Sequence, residues 1–446
     1  MPATVILGAG IIGLSSAHAL ARIAPPDHKI HLVEPAPELF SSASGKAAGF
    51  LAKDWFVPAI APLAALSFEL HRALAETYGG RARWGYSESL SYSLDHAYQS
   101  DDSSPASSDA SEPSGRNGSQ GQGGLDWLLS NTSRAAVAGT ADRSEKSADD
   151  LPPWLLAKPA ALEAISDRKS TAQVVPRRLC EFLLEQCLAA GVVLHHPARA
   201  TMFVNDERDP EGMTRLRIEY SAQQQSESLE GRSRVVDIRC ESLVVAAGCW
   251  TPHVYATLFP NASRMPRITH LAGYSVTFKT KHWPPTAAPP SFPHGSTSPC
   301  HAVFTDTAGF APEIFSRANG DVWLGGLNPA HTTLPKLPTD AHVDPAEVDR
   351  LLAVGHALCG EDIQVTGEAL CFRPVSATGR PIIARMHEAD LGDGLKPHRL
   401  DGQGGVFVAT GHGPWGIALS LGTGQVVAEM VLGRETSADV EQLSRW

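Results

Sequence analysis

The chain has 446 residues, 43% of them hydrophobic and 19% charged, a globular composition that excludes a fibrous or wholly disordered protein. A formal net charge of −11 argues against nucleic acid as a partner, because phosphate binding needs a basic face. No run approaches the roughly 18 apolar residues that span a bilayer, so no transmembrane segment is expected.

Ala3–Leu7 is a short, mainly apolar run suited to a buried strand, with no basic or cleavable leader before it. Ile11, Ile12, Leu14, Ala17, Leu20 and Ala21 then recur at helical spacing until Pro25-Pro26 stops them. Ile30–Val33 is a second strand. Leu63, Leu66, Leu70 and Leu74 predict a helix from about Ile60 to Tyr78, closed by Gly79-Gly80. Asp101–Gly124 is almost entirely Ser, Asp, Gly, Pro, Gln and Asn, too polar to bury a core. Residues 99–150 therefore read as a disordered polar insertion, with Leu125–Leu129 as an apolar island. The insertion is either a docking segment for a protein partner or a passively tolerated loop.

Order resumes at Leu151-Pro-Pro-Trp154. Pro176 opens a helix that Gly191 closes, and Val192–His195 follows as a strand. His195-His196 at that strand's edge is expected to face solvent. Arg215–Tyr220 and Val235–Cys240 read as a hairpin, and Ser242–Ala247 as a buried strand ending at Gly248. Ile268 to about Gly360 is β-rich, with a helix near Pro345–Leu358. The last part returns to α/β character: strand Val406–Thr410, a glycine-rich turn, and a helix from about Ile417 to Leu432. The seven cysteines are odd in number and contain no CxxC, so neither a disulfide framework nor a zinc site is indicated. No metal ligands are assigned. Free thiols, and a Ser444-Arg445-Trp446 ending that is not a peroxisomal address, point to the cytoplasm.

Gly8-Ala9-Gly10-Ile11-Ile12-Gly13 fits GxGxxG between a strand and a helix, and Glu34 ends the second strand. In that context the pattern marks a dinucleotide site. Gly8 permits the tight turn, Gly10 lets a pyrophosphate approach the backbone, and Gly13 lets helix and strand pack closely. The helix N-terminus offers unpaired N–H groups and a positive dipole end, and Glu34 accepts from ribose hydroxyls. NAD and FAD both use this unit. Two further signals favour FAD. Small residues in Ser41-Ser-Ala-Ser-Gly-Lys-Ala-Ala-Gly49 let a long cofactor run past the backbone, with Ser44 and Lys46 near its phosphate or ribityl oxygens. Thr410-Gly-His-Gly-Pro-Trp-Gly416 places a helix N-terminus where a reduced flavin would carry negative charge.

These motifs, together with Val244-Val-Ala-Ala-Gly-Cys-Trp250 and Arg373-Pro-Val-Ser-Ala-Thr-Gly-Arg-Pro381, resemble the D-amino-acid oxidase superfamily of flavoproteins, in family order over nearly the whole chain. Ser44-Gly-Lys-Ala-Ala-Gly-Phe-Leu51, Leu66-Ser-Phe-Glu-Leu-His71, the Ser-rich insertion, Thr171-Ala-Gln173 and Ala311-Pro-Glu-Ile-Phe315 resemble a fungal branch whose yeast member is linked to endosomal traffic. The resemblance implies an α/β fold, with a doubly wound FAD-binding (Rossmann-type) domain and a mostly antiparallel, β-rich substrate domain. Residues 1–80 and 366–446, with most of 151–267, would form the FAD-binding part, and 81–98 and 268–365 the substrate part. Gly8, Gly10, Ile11, Ile12, Gly13 and Glu34 would hold the ADP moiety. Ser44, Gly45, Lys46, Ala48 and Gly49 would follow the pyrophosphate and flavin. Gly248 and Trp250 would pass close by, and Gly411, Gly413, Trp415 and Gly416 would close over the ring.

The family's chemistry implies oxidation of a C–N bond in a small amine or amino acid, with hydride passing to flavin N5 and O2 as acceptor, giving imine and H2O2. Arg373 matches a carboxylate-binding arginine of the glycine-oxidase branch, and a guanidinium fork suits that task; a structural ion pair is the other reading. His412 would bond flavin or substrate, or simply pack. Cys371 falls where the sarcosine and fructosyl-amino-acid oxidases carry a cysteine bonded to the flavin, while Phe372-Arg373-Pro374 follows the glycine-oxidase pattern with noncovalent FAD. Both modes stay open. Two rival activities are a trafficking or scaffold factor that keeps FAD for stability, and a flavin dehydrogenase using another acceptor.

Overall fold

The computed structural model describes residues 2–95, 132–138, 151–156, 161–205, 214–221, 234–284, 299–306, 309–329, 331–392, 397 and 403–446. Ala3–Leu7 is buried at every residue because it runs through the middle of a sheet. It pairs in parallel with Lys29–Val33 on one side and Ser242–Val245 on the other. The full order is Ile382–Arg385, Gly405–Thr410, Ser242–Val245, Ala3–Leu7, Lys29–Val33 and Val193–His195. Only Ile382–Arg385 runs antiparallel to its neighbour. Strand order reverses beside Ala3–Leu7, and the crevice beyond the carboxyl end of such a strand is where doubly wound sheets bind ligands.

The helix Ile11–Ile23 follows the first strand after one turn and packs against the last helix, Gly416–Val431. That last helix also packs on Ala61–Tyr78, so both ends of the chain share one core. The join is polar as well as apolar. Ser67 Oγ donates to the Ala418 carbonyl at 2.6 Å and accepts from the Gly422 N–H at 3.1 Å. His71 Nε2–H donates to the Ile417 carbonyl at 3.0 Å. Both side chains are buried, so their bonds fix where the helix begins.

A second sheet of nine strands faces the first. Its order is Gln364–Ser376, Ile268–Lys279, Val322–Leu327, Glu313–Ser316, Cys300–Thr305, Ser87–Leu94, Thr171–Gln173 and Phe50–Ala52, with Leu162–Ala164 pairing Ser87–Leu94. Most pairs are antiparallel; Cys300–Thr305 and Ser87–Leu94 are parallel. A third sheet contains the expected hairpin, Thr214–Tyr220 with Val235–Arg239, plus Ala198–Asn205. The fold is therefore the mixed α/β class that the motifs imply.

Three expectations differ from the structure. The third FAD-binding segment, placed at 366, loses its first residues to the large sheet, because Gln364–Ser376 pairs along the whole of Ile268–Lys279. Leu162–Ala164 and Thr171–Gln173 also join that sheet, within the segment 151–267 that is expected to be only mainly FAD-binding. The polar insertion is not structureless throughout. Arg134–Val137 forms a 3-10 turn capped by Ser133, and Arg134 is buried. The rest of 96–131 and 139–150, with the Leu125–Leu129 island, lies outside the described residues. Finally, His195 does not face solvent. It is buried, 3.0 Å from His31 and bonded to Tyr220, because the three-stranded sheet folds over that strand.

Burial holds His71 down at a pKa of about 4, from an ordinary 6.5. The folded value is below the unfolded one, so the neutral ring's contribution is complete above pH 6.5. It is lost as pH falls from 6.5 towards 4, by about 1.4 kcal/mol per pH unit. Between pH 7 and 5 the wild type should lose roughly 2 kcal/mol more unfolding free energy than His71→Asn, measured by denaturant melts. Parallel pH slopes in the two proteins would contradict this.

Candidate functional site

Between the two large sheets lies a cavity of about 1370 Å³. That exceeds the roughly 300–1,000 Å³ typical of a single small-molecule site, so it has room for a large cofactor and a second molecule. Gly8, Gly10, Ile11, Ile12 and Glu34 line one end, and Ser44, Ala48, Gly49, Gly248 and Trp250 continue the wall. Cys371, Arg373, His412, Gly413 and Gly416 line it as well. Five other expected residues stand behind that wall. Gly13 packs so tightly that a side-chain carbon there would run into the Gly8 carbonyl. Gly45 is packed the same way on Phe40, and Gly411 lies against Ser376 and Ile268. Trp415 is buried in an aromatic cluster, 4.7 Å from Phe56 between ring centres. Lys46, expected along the pyrophosphate and flavin, donates from Nζ to the Leu370 carbonyl at 3.1 Å, beside Cys371.

The ADP end is already organised. Glu34 accepts from the Ala9 N–H and the Ala36 N–H, each at 2.9 Å, which aims its carboxylate across the glycine turn. Burial nevertheless pushes its pKa up, against those two bonds. The Ile11 N–H donates to Ser44 Oγ at 2.9 Å, so the 43–49 loop is docked on the helix start. Two helix N-termini, at Ile11 and Gly416, bring positive dipole ends to the cavity.

The loop that carries Ser44 is held from behind by residues the motif analysis gave no role. Arg317, buried and pushed down to about 10 by that burial, donates to the Ala47 and Ala48 carbonyls at 2.8 and 3.0 Å. Gln173 Nε2 donates to the Ala48 carbonyl at 2.6 Å, and Trp323 Nε1 to the Lys46 carbonyl at 3.3 Å. Gln173 lies in the Thr171-Ala-Gln173 motif, so sequence marked its place without its task.

On the large sheet, Arg373 extends over Gly273, where a side-chain carbon would strike the guanidinium. Its Nη1 donates to Asn328 Oδ1, and no carboxylate pairs with it among the described residues. Opposite, Arg134 pairs with Glu313: Nε lies 2.9 Å from Oε1 and Nη2 donates to Oε2 at 3.0 Å. The Arg134 guanidinium also lies 4.6 Å from the Trp415 ring centre. Burial pulls Arg134 down, Glu313 opposes this, and the Arg373 charge adds to it. Glu313 sits in the Ala311-Pro-Glu-Ile-Phe315 motif; Arg134, inside a polar stretch, had no signal.

His412 lines the cavity with its Nε2 3.0 Å from Thr423 Oγ1, and burial pushes it down to about 3. It is an uncharged hydrogen-bonding ring at neutral pH, not a cation. Its Nδ1 is buried with no partner among the described residues, as expected if that partner is a ligand. An unpartnered ring nitrogen, a glycine-floored turn and a carboxylate beside it fit an extended flavin dinucleotide.

The sequence pattern of the FAD dependent oxidoreductase family (DAO) matches residues 3–430. The chain belongs to this family. It is an FAD-dependent oxidoreductase, and the cavity's glycine turn, Glu34 and the 43–49 loop are the residues that would hold the FAD. A "Putative oxidoreductase" of Schizosaccharomyces pombe is 27% identical over 454 residues, covering 98% of this chain and 96% of that one. Glycine oxidase from Geobacillus kaustophilus shares the fold at a TM-score of 0.67 and 20% identity, over 100% of this chain and 98% of that one. Iminodiacetate oxidase from Chelativorans does so at 0.64 and 19%, over 99% and 98%.

Cys371 is buried at the cavity wall, and burial raises its thiol pKa, with Arg373 and Lys46 opposing. A protonated thiol is a poor nucleophile. Acid precipitation of the yellow protein is therefore expected to leave FAD in the supernatant and a colourless pellet. Colour that stays with the wild-type pellet and is lost in Cys371→Ser would establish the covalent mode instead.

Proposed function

We propose that the chain oxidises the C–N bond of a small amine or amino acid to an imine, with O2 as the acceptor. The substrate loses two electrons and two protons, and O2 takes up both to become H2O2. FAD, when bound, supplies the two-electron acceptor that no side chain of the protein can provide. The chain's own residues bind, orient and exclude water. The observation that carries this reading is Arg373. It presents a guanidinium to the cavity, fixed by Asn328 and floored by Gly273, with no carboxylate partner of its own among the described residues. That arrangement suits a substrate carboxylate, held by charge-assisted bonds. His412 supports the reading as a neutral ring beside the same space, able to orient a bound group without repelling a cationic amine. The oxidases that share the fold are consistent with an amino-acid substrate.

All seven thiols are free and buried, which supports a cytoplasmic site of action. Among the described residues no helix is long and apolar enough to cross a membrane.

Truncating Arg373 tests the anchor. Hydrogen bonds to a charged group contribute about 1.5–3 kcal/mol, so Arg373→Met should lower kcat/KM for a carboxylate substrate roughly 10- to 150-fold. Oxidation of the matched amine lacking the carboxylate should be unchanged. An equal fall for both substrates would show that Arg373 acts on the fold and not on the carboxylate.

A further inference from the structure

Arg373 reaches across three strands of the large sheet. It sits in Gln364–Ser376 opposite Leu271, while Gly273, two residues further along the neighbouring strand, pairs with Cys371. The side chain runs diagonally over Gly273, where an added side-chain carbon would lie 2.5 Å from Nη1. A glycine there lets the guanidinium cross the middle strand. On the far side Nη1 donates to Asn328 Oδ1, one residue beyond the end of Val322–Leu327. Arg373 lines the cavity and Asn328 does not, so the asparagine acts on a ligand only through the arginine.

Asn328 is itself oriented. The ladder beside it passes over Gly326, because Tyr274 pairs with Leu327 and Ser275 with Gly325. At this bulge Gly326 takes a φ of 102°, which favours glycine, and its carbonyl accepts from Asn328 Nδ2 at 2.9 Å. A carbonyl can only accept, so the amide nitrogen faces Gly326 and the amide oxygen faces Arg373. The clamp is therefore neutral. It occupies one N–H of the guanidinium, and the remaining N–H groups have no partner among the described residues. They are enough for a two-bond grip on a carboxylate. An aspartate at this position would still accept from Nη1, but its fixed negative charge would compete with an entering carboxylate for the same guanidinium.

Resting on the reading of Arg373 as a carboxylate anchor, we infer that Asn328 is the positioning residue of that anchor. It fixes the guanidinium over Gly273 and leaves its positive charge for the substrate carboxylate.

Butyrate and butyramide, which differ in charge at the end that Arg373 would hold, serve as probes. Isothermal titration of the FAD-loaded protein reads their binding without requiring turnover. The wild type should bind butyrate roughly tenfold more tightly than butyramide. Asn328→Asp should weaken butyrate roughly tenfold and move butyramide by no more than about twofold. Asn328→Ala opens the clamp without adding a charge, so butyrate should weaken by only about threefold, again with butyramide little changed. That order separates charge from support. A residue that merely propped Arg373 would be replaced better by aspartate, which keeps an acceptor, than by alanine. Because an aspartate would also meet the Gly326 carbonyl and can cost folding, the selective loss of butyrate in Asn328→Ala stands as a test on its own. Unchanged butyrate binding in the variants, an equal loss of both probes, or a larger loss with alanine than with aspartate would overturn the inference while leaving the anchor in place. A wild type that binds butyrate no more tightly than butyramide would overturn the anchor and the inference together.

Discussion

The site depends on how closely the first helix approaches the first strand. Gly13 sits so near the Gly8 carbonyl that no side chain fits between them, and this contact sets the helix with its N-terminus at the end of Ala3–Leu7. From there Ile11 reaches Ser44 and Ala9 reaches Glu34, so the phosphate end of the cavity is assembled by backbone N–H groups. The last helix packs on the first with equal closeness, where Gly424 meets Ser15. A bulkier residue at either glycine would move a helix start, and with it the dipole end that faces the cavity. Such an end stabilises an adjacent anion by about 0.3–1 kcal/mol, more when partly buried. Residues from both termini thus act on one ligand because two helices are held together by the absence of side chains.

Much of this was legible in the sequence because its signals are local. The strand Ala3–Leu7, the glycine turn, Glu34, the helix to Tyr78 and the Gly411–Gly416 turn each follow from a few neighbouring residues. Strand membership in the large sheet was less legible. Gln364–Ser376 and Thr171–Gln173 are assigned by partners far along the chain, and no periodicity within them names those partners. His195 illustrates the same limit. Its position at a strand edge suggested solvent, whereas the hairpin of another sheet covers it. The loop around Lys46 pointed to phosphate or ribityl oxygens, and nothing local told that its amine also bonds a carbonyl of the opposing sheet.

The least legible feature was Arg134. Its neighbours in sequence are polar, and composition alone marks the stretch as unable to bury itself. A single arginine stacked on Trp415 and paired with Glu313 needs no apolar run to be buried. It borrows a site that the rest of the fold has built. The same logic explains Arg317, which is buried because it satisfies two carbonyls of the 43–49 loop. Both arginines show how charged groups can be buried at or behind a flavoprotein cavity wall, provided each charge meets a bonding partner before a ligand arrives. Arg373 departs from that rule in having an amide oxygen where a carboxylate would be expected.

The central claim is that this cavity oxidises a small amine or amino acid with bound FAD. Its most direct measurement is anaerobic mixing of the FAD-loaded protein with a panel of primary amines, N-alkyl amino acids and both enantiomers of neutral amino acids, watching the visible flavin band. The account predicts that at least one compound bleaches the band, and that admitting air restores it with release of H2O2. A fully FAD-loaded protein whose band survives every compound in the panel would contradict it.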